Sequence, residues 1–185
     1  MAQAGKNPLK PLGRKIFLDR YALKDGQKDS LSVGDTVVVM TNADTGQREI
    51  GSIAAVNDGE VNVKLEDGTE FTTPLEHVDK PVETEPSKMI ARVARGIAEE
   101  ENDEVREQWN KRFEWLLQDW RFVPGGRILT GAGTEQRLTY YNCYVIPSPK
   151  DSRGGIMETL THMTEIMSRG GGVGINLSSL RPHHA

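Results

Sequence analysis

The stretch Ser168-Arg-Gly-Gly-Gly-Val-Gly-Ile-Asn-Leu177 decides how the last third of the chain folds. It follows an amphipathic segment and leads into a β-type run, so the sequence predicts a helix that turns into a strand at these glycines. A dinucleotide-binding fingerprint has the opposite order, from strand through glycines to helix. The run also matches neither the GxGxxG pattern nor a Walker P-loop. A Rossmann fold is therefore excluded.

The residues upstream of this run predict its structural partners. Leu138 to Ile146 has the alternation of a buried strand, with Cys143 on the same face as Tyr141 and Val145. A helix follows, with an apolar stripe formed by Ile156, Leu160, Met163 and Met167. A strand, a helix and a second strand with a crossover of this length indicate a right-handed βαβ unit and the start of a parallel sheet. Cys143 and the beginning of the second strand can face one pocket only if they lie at the same end of the two parallel strands.

Two helices and another glycine-rich stretch precede this unit. Ser87 is a possible N-cap for the first helix, and Asn102 and Asp103 for the second. The second helix has an aromatic stripe that is typical of core packing. In the stretch Val123–Thr134, glycines surround a β-like Ile128-Leu129, which indicates a sharp turn or close approach of the backbone to a ligand.

From Leu31 to Lys80 the pattern changes to short β-type runs separated by Asp-Gly and Thr-Gly turns. Turns at this spacing predict a small antiparallel barrel of the SH3-like kind. The module has no cluster of aromatic residues and its charges are mostly acidic. A structural or partner-docking role is therefore favoured over nucleic-acid binding.

Basic residues interrupted by prolines and glycines fill the first thirty positions, and a segment of this composition is expected to bury little. A solvated arm is favoured there over an anion-binding one, with a short ordered piece near Ile16 to Tyr21. The predicted organisation of the chain is an arm over 1–30, an SH3-like module over 31–80, a linker over 81–86, a helical segment over 87–122 and a catalytic barrel beginning at 123–185.

Composition limits the classes of function. The chain has 185 residues, a formal net charge of -4 and one cysteine, Cys143. A single cysteine excludes an internal disulfide and a multi-thiolate metal site within this sequence. No window approaches the ~18 consecutive apolar residues of a membrane span, and the first fifteen residues lack the apolar core of a secretion signal. We therefore expect a cytoplasmic protein.

Several motifs together resemble the opening of the catalytic chain of ribonucleotide reductase, most closely its adenosylcobalamin-dependent class. They occur in the order and spacing of that family between Ser87 and Pro182: Arg121-Phe-Val-Pro-Gly-Gly-Arg-Ile-Leu129, Tyr141-Asn-Cys-Tyr-Val-Ile-Pro147, Asp151-Ser152 and Ser168-Arg-Gly-Gly-Gly-Val-Gly-Ile-Asn-Leu-Ser-Ser-Leu-Arg-Pro182. The stretch Tyr21-Ala-Leu-Lys-Asp25 and the β module also resemble an N-terminal extension found in some cobalamin-dependent members.

The resemblance implies an α+β to α/β fold: a small SH3-like barrel, a helical segment and the first βαβ portion of the reductase α/β barrel. It implies that a thiyl radical, generated with adenosylcobalamin, removes the ribose 3′ hydrogen, and that a cysteine pair reduces the 2′ carbon and becomes a disulfide. Cys143 matches the first member of that pair. Asn142 and Gly172 match positions that line the ribonucleotide substrate.

Gly126 matches the residue beside the substrate phosphate. Many relatives have Ser-Pro where this chain has Gly126-Arg127, so a hydroxyl contact there is replaced by backbone or by the Arg127 guanidinium. Asp151 and Ser152 match the start of the site for a deoxynucleotide or ATP effector. The helix after them implies part of a homodimer interface. A thioredoxin- or glutaredoxin-like protein is the implied reductant, and no membrane is involved.

The family barrel continues for several hundred residues beyond the matched motifs and contains the radical cysteine and the second reducing cysteine. We therefore expect an N-terminal fragment that is missing its C-terminal remainder and does not turn over alone. The alternative is a non-catalytic module that binds nucleic acid or protein through the SH3-like barrel and the basic arm. A thiol-nucleophile enzyme is a third possibility, but the four histidines show no arrangement that places a base near Cys143.

Overall fold

The structure is a computed structural model, and it describes residues 9–26, 30–136 and 138–183. The chain divides into two compact units, residues 1–135 and 136–185. Each unit is described by itself. Within the described residues, no helix is long and apolar enough to cross a membrane.

An antiparallel sheet forms the first half of the larger unit. Its strands are β1 (Lys24–Asp25), β2 (Thr36–Asn42), β3 (Gln47–Asn57), β4 (Glu60–Leu65), β5 (Glu70–Pro74) and β6 (Val78–Pro81), in the spatial order β1-β6-β2-β3-β4-β5. Gly59 and Gly68 have φ angles of 82° and 88° in the turns that join β3 to β4 and β4 to β5. The left-handed conformation favours glycine because other L residues pay a steric cost there. These turns therefore fix the alternation of the strands.

The sheet has its own apolar cluster, which comes entirely from its strands. Its buried members are Val37, Val39, Ile53, Val61, Val63 and Val78. Leu31, Leu65, Phe71 and Leu75 pack against them. The short β-type runs predicted between Leu31 and Lys80 are confirmed as β2 to β5.

The helices of the larger unit form a second apolar cluster, which the sheet joins through Val38 and Ile50. The elements are α1 (Pro11–Ile16) with a π-helical turn (Phe17–Tyr21), α2 (Pro86–Ala98), α3 (Asp103–Leu117) and α4 (Gly126–Gly131). Phe17 and Leu18 are buried there with Met89, Val93 and Leu129, among others. The expected short ordered piece near Ile16 to Tyr21 is confirmed by this helical segment. The expectation that the first thirty residues bury little is wrong at Phe17 and Leu18, because the basic residues of this segment flank a short apolar face. Residues 1–8 and 27–29 of the predicted arm lie outside the described residues.

Three local predictions for this unit are corrected by the structure. Helix α2 begins at Pro86 after Glu85, not after Ser87, because proline has no backbone N–H to satisfy in the first turn. Asn102 is the N-cap residue of α3 as predicted, but its side chain makes no capping hydrogen bond. The β-like Ile128-Leu129 lies in helix α4, where Leu129 is buried in the helical cluster.

The aromatic stripe of α3 is only partly a core element. Trp109 is half-buried and stacks on Phe113 at 5.5 Å between ring centroids. By contrast, 61% of Trp115 and 37% of Trp120 remain exposed. The prediction that the stripe serves core packing therefore holds at Phe113 and Leu117, which pack in the helical cluster, and is wrong at Trp120.

The smaller unit is a strand, a helix and a second strand: β7 (Cys143–Val145), α5 (Arg153–Ser168) and β8 (Gly172–Gly174). The two strands pair in parallel, as predicted from the order of the elements. The predicted strand over Leu138–Ile146 is too long, since only three residues of it pair. The whole chain thus combines helices with a small antiparallel sheet in an α+β arrangement. The start of a reductase barrel beyond this one parallel pair remains a prediction.

Candidate functional site

The cysteine and the glycine run meet on adjacent strands of the smaller unit. Cys143 is the direct partner of Gly172 in the parallel pair. The backbone N–H of Gly172 donates to the carbonyl of Asn142 at 2.7 Å. A Cβ atom on residue 172 would lie 3.2 Å from the Cys143 Sγ, and the cysteine is exposed. Three of the predicted site residues are therefore brought together, around an accessible thiol with no side chain opposite it.

The simplest interpretation of a lone cysteine, a small buried hydrophobe, is contradicted by this exposure. Cys143 and Val145 both point to the exposed face of β7, whereas Tyr144 between them is half-buried. The alternation predicted from the sequence is thus present. The buried and exposed faces are the reverse of those expected for the cysteine, because among the described residues of this unit no layer covers that face.

The glycines after α5 are required by the return of the chain to β8. Gly170 has φ 75°. A Cβ on Gly171 would lie 2.7 Å from Cγ2 of Ile166 and 3.1 Å from Cε2 of Tyr144. Since real Cβ atoms essentially never approach that closely, residue 171 fits only as glycine. The glycine run therefore sets the register that places residue 172 beside Cys143.

The predicted effector residues stand at the beginning of α5. Ser152 is its N-cap, with the hydroxyl oxygen accepting from the N–H of Gly155 at 3.0 Å. The Asp151 carboxylate accepts from Nε of Arg181 at 2.8 Å. Both side chains are thus already engaged within the chain. Effector binding by Asp151 and Ser152 stays a prediction.

Gly126 lies in the larger unit, as the first residue of α4. A Cβ on it would be 3.6 Å from Cε1 and 3.7 Å from the hydroxyl oxygen of Tyr21, which are ordinary van der Waals distances. Tyr21 ends the π-helical turn and packs against the helical cluster. The predicted phosphate-side residue is therefore next to a tyrosine from the N-terminal segment.

A buried ion pair holds the other end of α4, and sequence reasoning missed it. The Arg92 guanidinium on α2 donates to both carboxylate oxygens of Glu83, at 2.6 and 3.0 Å. It also donates to the carbonyl oxygens of Ala132 at 2.6 Å and Leu129 at 3.0 Å. The Glu83 carboxylate also accepts from the backbone N–H of Leu23, at 2.9 Å. The side chains of Arg92 and Glu83 are only 4% and 6% exposed.

The pair therefore joins α2, the C-terminal end of α4 and the N-terminal segment at one point. Two glycines allow the close approach that this geometry needs. A Cβ on Gly96 would lie 2.9 Å from the carbonyl carbon of Ala132, and a Cβ on Gly133 would lie 2.9 Å from Cγ of Arg92. One signal in the sequence pointed to the pair, namely an arginine between the apolar positions Ile90 and Val93.

Charged side chains also connect the N-terminal segment to the sheet. Arg48 on β3 pairs with Asp19 and Asp79. Burial lowers the pKa of the nearby Lys24, and the positive charge of Arg48 lowers it further. On the other side of the sheet, the Lys80 ammonium donates to Asp35 at 2.6 Å and holds the pKa of that carboxyl below its ordinary value of 3.8. The Arg48–Asp19 pair therefore links the sheet to the N-terminal segment, whereas the Lys80–Asp35 pair lies within the β module.

The described ranges contain no group of three or more histidine, cysteine, aspartate or glutamate side chains arranged to hold a metal ion. What the fold and the site define is an α+β protein with an exposed thiol beside a glycine-lined parallel strand. Comparisons with known proteins show which family this chain resembles.

Residues 75–137 match the family model described as the all-alpha domain of ribonucleotide reductase. The ribonucleoside-diphosphate reductase large chain of Schizosaccharomyces pombe is 33% identical over 107 residues, covering 58% of this chain and 12% of that protein. The large subunit from Variola virus is 30% identical over 104 residues, covering 56% and 13%. The large chain of Neurospora crassa is 31% identical over 104 residues, covering 56% and 10%.

This chain therefore contains a segment similar to the N-terminal all-alpha domain of ribonucleotide reductase large chains, and it spans 10–13% of the length of these relatives. A crystal structure of kinase-associated protein B from Bacillus cereus aligns with 50% of this chain and all of that chain. Its TM-score is 0.24 at 16% sequence identity, which is too low to carry an argument.

The prediction of adenosylcobalamin as cofactor is wrong. The relatives are large chains of ribonucleoside-diphosphate reductases from a yeast, a mould and poxviruses, and they belong to the class that does not use adenosylcobalamin.

Proposed function

We propose that this chain forms the N-terminal part of a ribonucleotide reductase large chain, which reduces ribonucleotides to deoxyribonucleotides for DNA synthesis and repair. The names of the relatives favour ribonucleoside diphosphates as substrates. On the same basis, a separate small subunit supplies the radical. The chain alone is inactive, because the radical cysteine and the second reducing cysteine are not among its residues.

The proposed reaction uses Cys143 as one of two reducing thiols. A thiyl radical elsewhere in the enzyme removes the 3′ hydrogen of the ribose. The 2′ hydroxyl then leaves as water, and two thiols supply two electrons and two protons while they join as a disulfide. The 3′ hydrogen is returned at the end. One ribonucleotide and two thiols thus give one deoxyribonucleotide, one water and one disulfide, which a thioredoxin- or glutaredoxin-like protein reduces.

The observation that carries the proposal is the pairing of Cys143 with Gly172. A thiol that reduces a ribose must be accessible, and its neighbours must leave room for the sugar and for a second sulfur about 2.05 Å away. Cys143 is exposed, and Gly172 presents no side chain to it. Asn142 and Gly172 then line the nucleoside, and Gly126 lies at the substrate phosphate.

The other proposed partners follow from α5 and its beginning. A deoxynucleotide or ATP effector binds near Asp151 and Ser152. A second copy of the chain packs on α5, where Ile156, Leu160 and Met167 are 40%, 47% and 57% exposed. Apolar side chains in such a row on a helix are typical of a covered interface.

The finer fold assignment belongs to the same proposal. Strands β2 to β5 form a meander, a 3-10 turn (Leu75–His77) follows, and β6 returns to pair with β2. This connectivity supports an SH3-like barrel, which we propose as a module that docks a protein partner. The unit β7-α5-β8 is proposed as the start of the reductase barrel.

A chimera tests the proposal. The segment of the Schizosaccharomyces pombe large chain that matches this protein is replaced by the matching residues of this chain, and conversion of CDP to dCDP is followed with a dithiol reductant and the small subunit. We expect turnover by the chimera and none by its Cys143→Ser variant, with CDP binding retained by both. Undiminished multiple turnover by the Cys143→Ser chimera would refute the role of this thiol.

A further inference from the structure

Residue 126 contributes no side chain to the site where the proposed function places the substrate phosphate. Its φ angle is not in the left-handed region, so no backbone conformation demands glycine there. Space does not demand it either, because the nearest atoms to an added Cβ are 3.6 and 3.7 Å away. Both of those atoms belong to Tyr21.

The Tyr21 hydroxyl is held in this place by the segment that carries it. Phe17 and Leu18 are buried in the helical cluster, and the N–H of Ala22 donates to the carbonyl of Phe17 at 2.9 Å. The ring of Tyr21 packs on the same cluster. Within the described residues, the hydroxyl itself makes no hydrogen bond.

The segment that bears Gly126 is fixed as well. Leu129 and Ala132 are buried, and their carbonyl oxygens accept from Arg92. A hydroxyl donor that has no partner among the described residues thus stands at a set distance from a position without a side chain. Because a tyrosine hydroxyl can donate a hydrogen bond as well as accept one, this hydroxyl is available to an acceptor on a bound ligand.

We propose that Tyr21 is a substrate-binding residue whose hydroxyl donates a hydrogen bond to the phosphate of the ribonucleotide beside Gly126. This inference rests on the proposed function, which puts the phosphate there. Hydrogen bonds to an ionised phosphate are stronger than neutral ones, so one donor makes a measurable contribution to affinity. The first segment of the chain thereby becomes part of the substrate site, although it lies outside the residues that match the family model.

The test uses the 185-residue chain, labelled with ¹⁵N and titrated with CDP and, separately, with cytidine. Tyr21→Phe removes only the hydroxyl and keeps the buried ring. We expect it to weaken CDP affinity about tenfold, the loss typical of one hydrogen bond to a charged group, and to leave cytidine affinity unchanged. Gly126→Ser in the Tyr21→Phe background should restore CDP affinity, because its hydroxyl occupies the space beside the missing one. Thr72→Val on β5 is the control, since it also removes a hydroxyl and should leave CDP affinity unchanged.

The outcomes separate this inference from the proposed function. If CDP shifts the Gly126 amide resonance saturably and the Tyr21→Phe variant binds CDP with the affinity of the wild type, only the role of Tyr21 is overturned. An equal loss of CDP and cytidine affinity would also overturn it, because the hydroxyl would then not act on the phosphate. A wild-type chain with no CDP shift at Gly126 would overturn both the phosphate contact and the role of Tyr21.

Discussion

Removal of the Arg92 guanidinium is the most direct test of how the helices of the larger unit pack. Arg92→Met keeps an unbranched apolar stem on α2 and deletes the charge. It leaves the Glu83 carboxylate buried without a counter-ion and two carbonyl oxygens, those of Leu129 and Ala132, without a donor. Solvent screening gives little relief, because both side chains of the pair are more than nine-tenths buried.

The expected loss is large for a single substitution. Breaking a buried pair by deleting one partner costs about 3–5 kcal/mol. With a urea m-value of about 2 kcal/mol/M, the midpoint falls by about 2 M. Urea unfolding followed by tryptophan fluorescence measures it, since Trp109 lies on α3. Arg95→Met is the matched control, because Arg95 is exposed on the same helix and its loss should change stability by less than about 0.5 kcal/mol.

A double substitution separates the charge from the contacts. Glu83→Met with Arg92→Met removes the orphaned carboxylate and should be more stable than Arg92→Met alone, because an unpaired buried charge costs more than an unpaired neutral group. The reasoning is refuted if Arg92→Met costs less than about 1 kcal/mol. It is also refuted if the double variant loses the sum of the two single losses.

Two further predictions concern close backbone approach and pH. Gly96→Ala should destabilise the larger unit by about 1–3 kcal/mol in the same urea assay, because the added methyl group meets backbone atoms of residues 132 and 133. Gly154→Ala is the control and should be neutral or slightly stabilising, because its added methyl group meets nothing within 4 Å. Equal effects of the two substitutions would contradict the close approach of Gly96 to residues 132 and 133. Asp35→Asn should destabilise the fold at pH 7, and this loss should shrink as the pH falls below 3.8. The hydrogen bond from Lys80 lowers the folded pKa of Asp35 below 3.8, so its contribution is complete above that value and is lost as the pH falls through the folded pKa. Thermal unfolding of both proteins from pH 7 downwards measures the difference, and a loss that stays constant below pH 3.8 would argue against the ion pair.

The sequence predicted those elements whose signals are local. Turns at Gly59 and Gly68 predicted the alternation of β3, β4 and β5, because the left-handed conformation is a property of single residues. The apolar period predicted α2, and the order of strand, helix, glycines and strand predicted a parallel pair of strands. The structure, not the sequence, placed Cys143 opposite Gly172 in that pair. Adenosylcobalamin was predicted wrongly, because the prediction rested on the resemblance alone and the relatives are large chains that do not use it.

Errors arose where the environment of a residue depends on distant parts of the chain. The basic composition of the first thirty residues did not indicate that Phe17 and Leu18 are buried, because their burial depends on packing against α2 and α4. Ile128-Leu129 was expected to be β-like between its flanking glycines, yet both residues lie in a helix whose Leu129 packs into the helical cluster. Cys143 was expected to be buried from its neighbours, but burial depends on what covers a strand face.

The sequence by itself determined strands β2 to β5, the turns between them, helices α2, α3 and α5 and the glycine turn after α5, because each depends on backbone preferences within a few residues. Only the tertiary structure decided which distant groups meet. Glu83 and Arg92 lie nine positions apart and share their hydrogen bonds with residues 23, 129 and 132. Tyr21 reaches Gly126 across more than a hundred residues. Such contacts are chosen by the packing of whole faces, and a buried charge is stable only where that packing brings its partner.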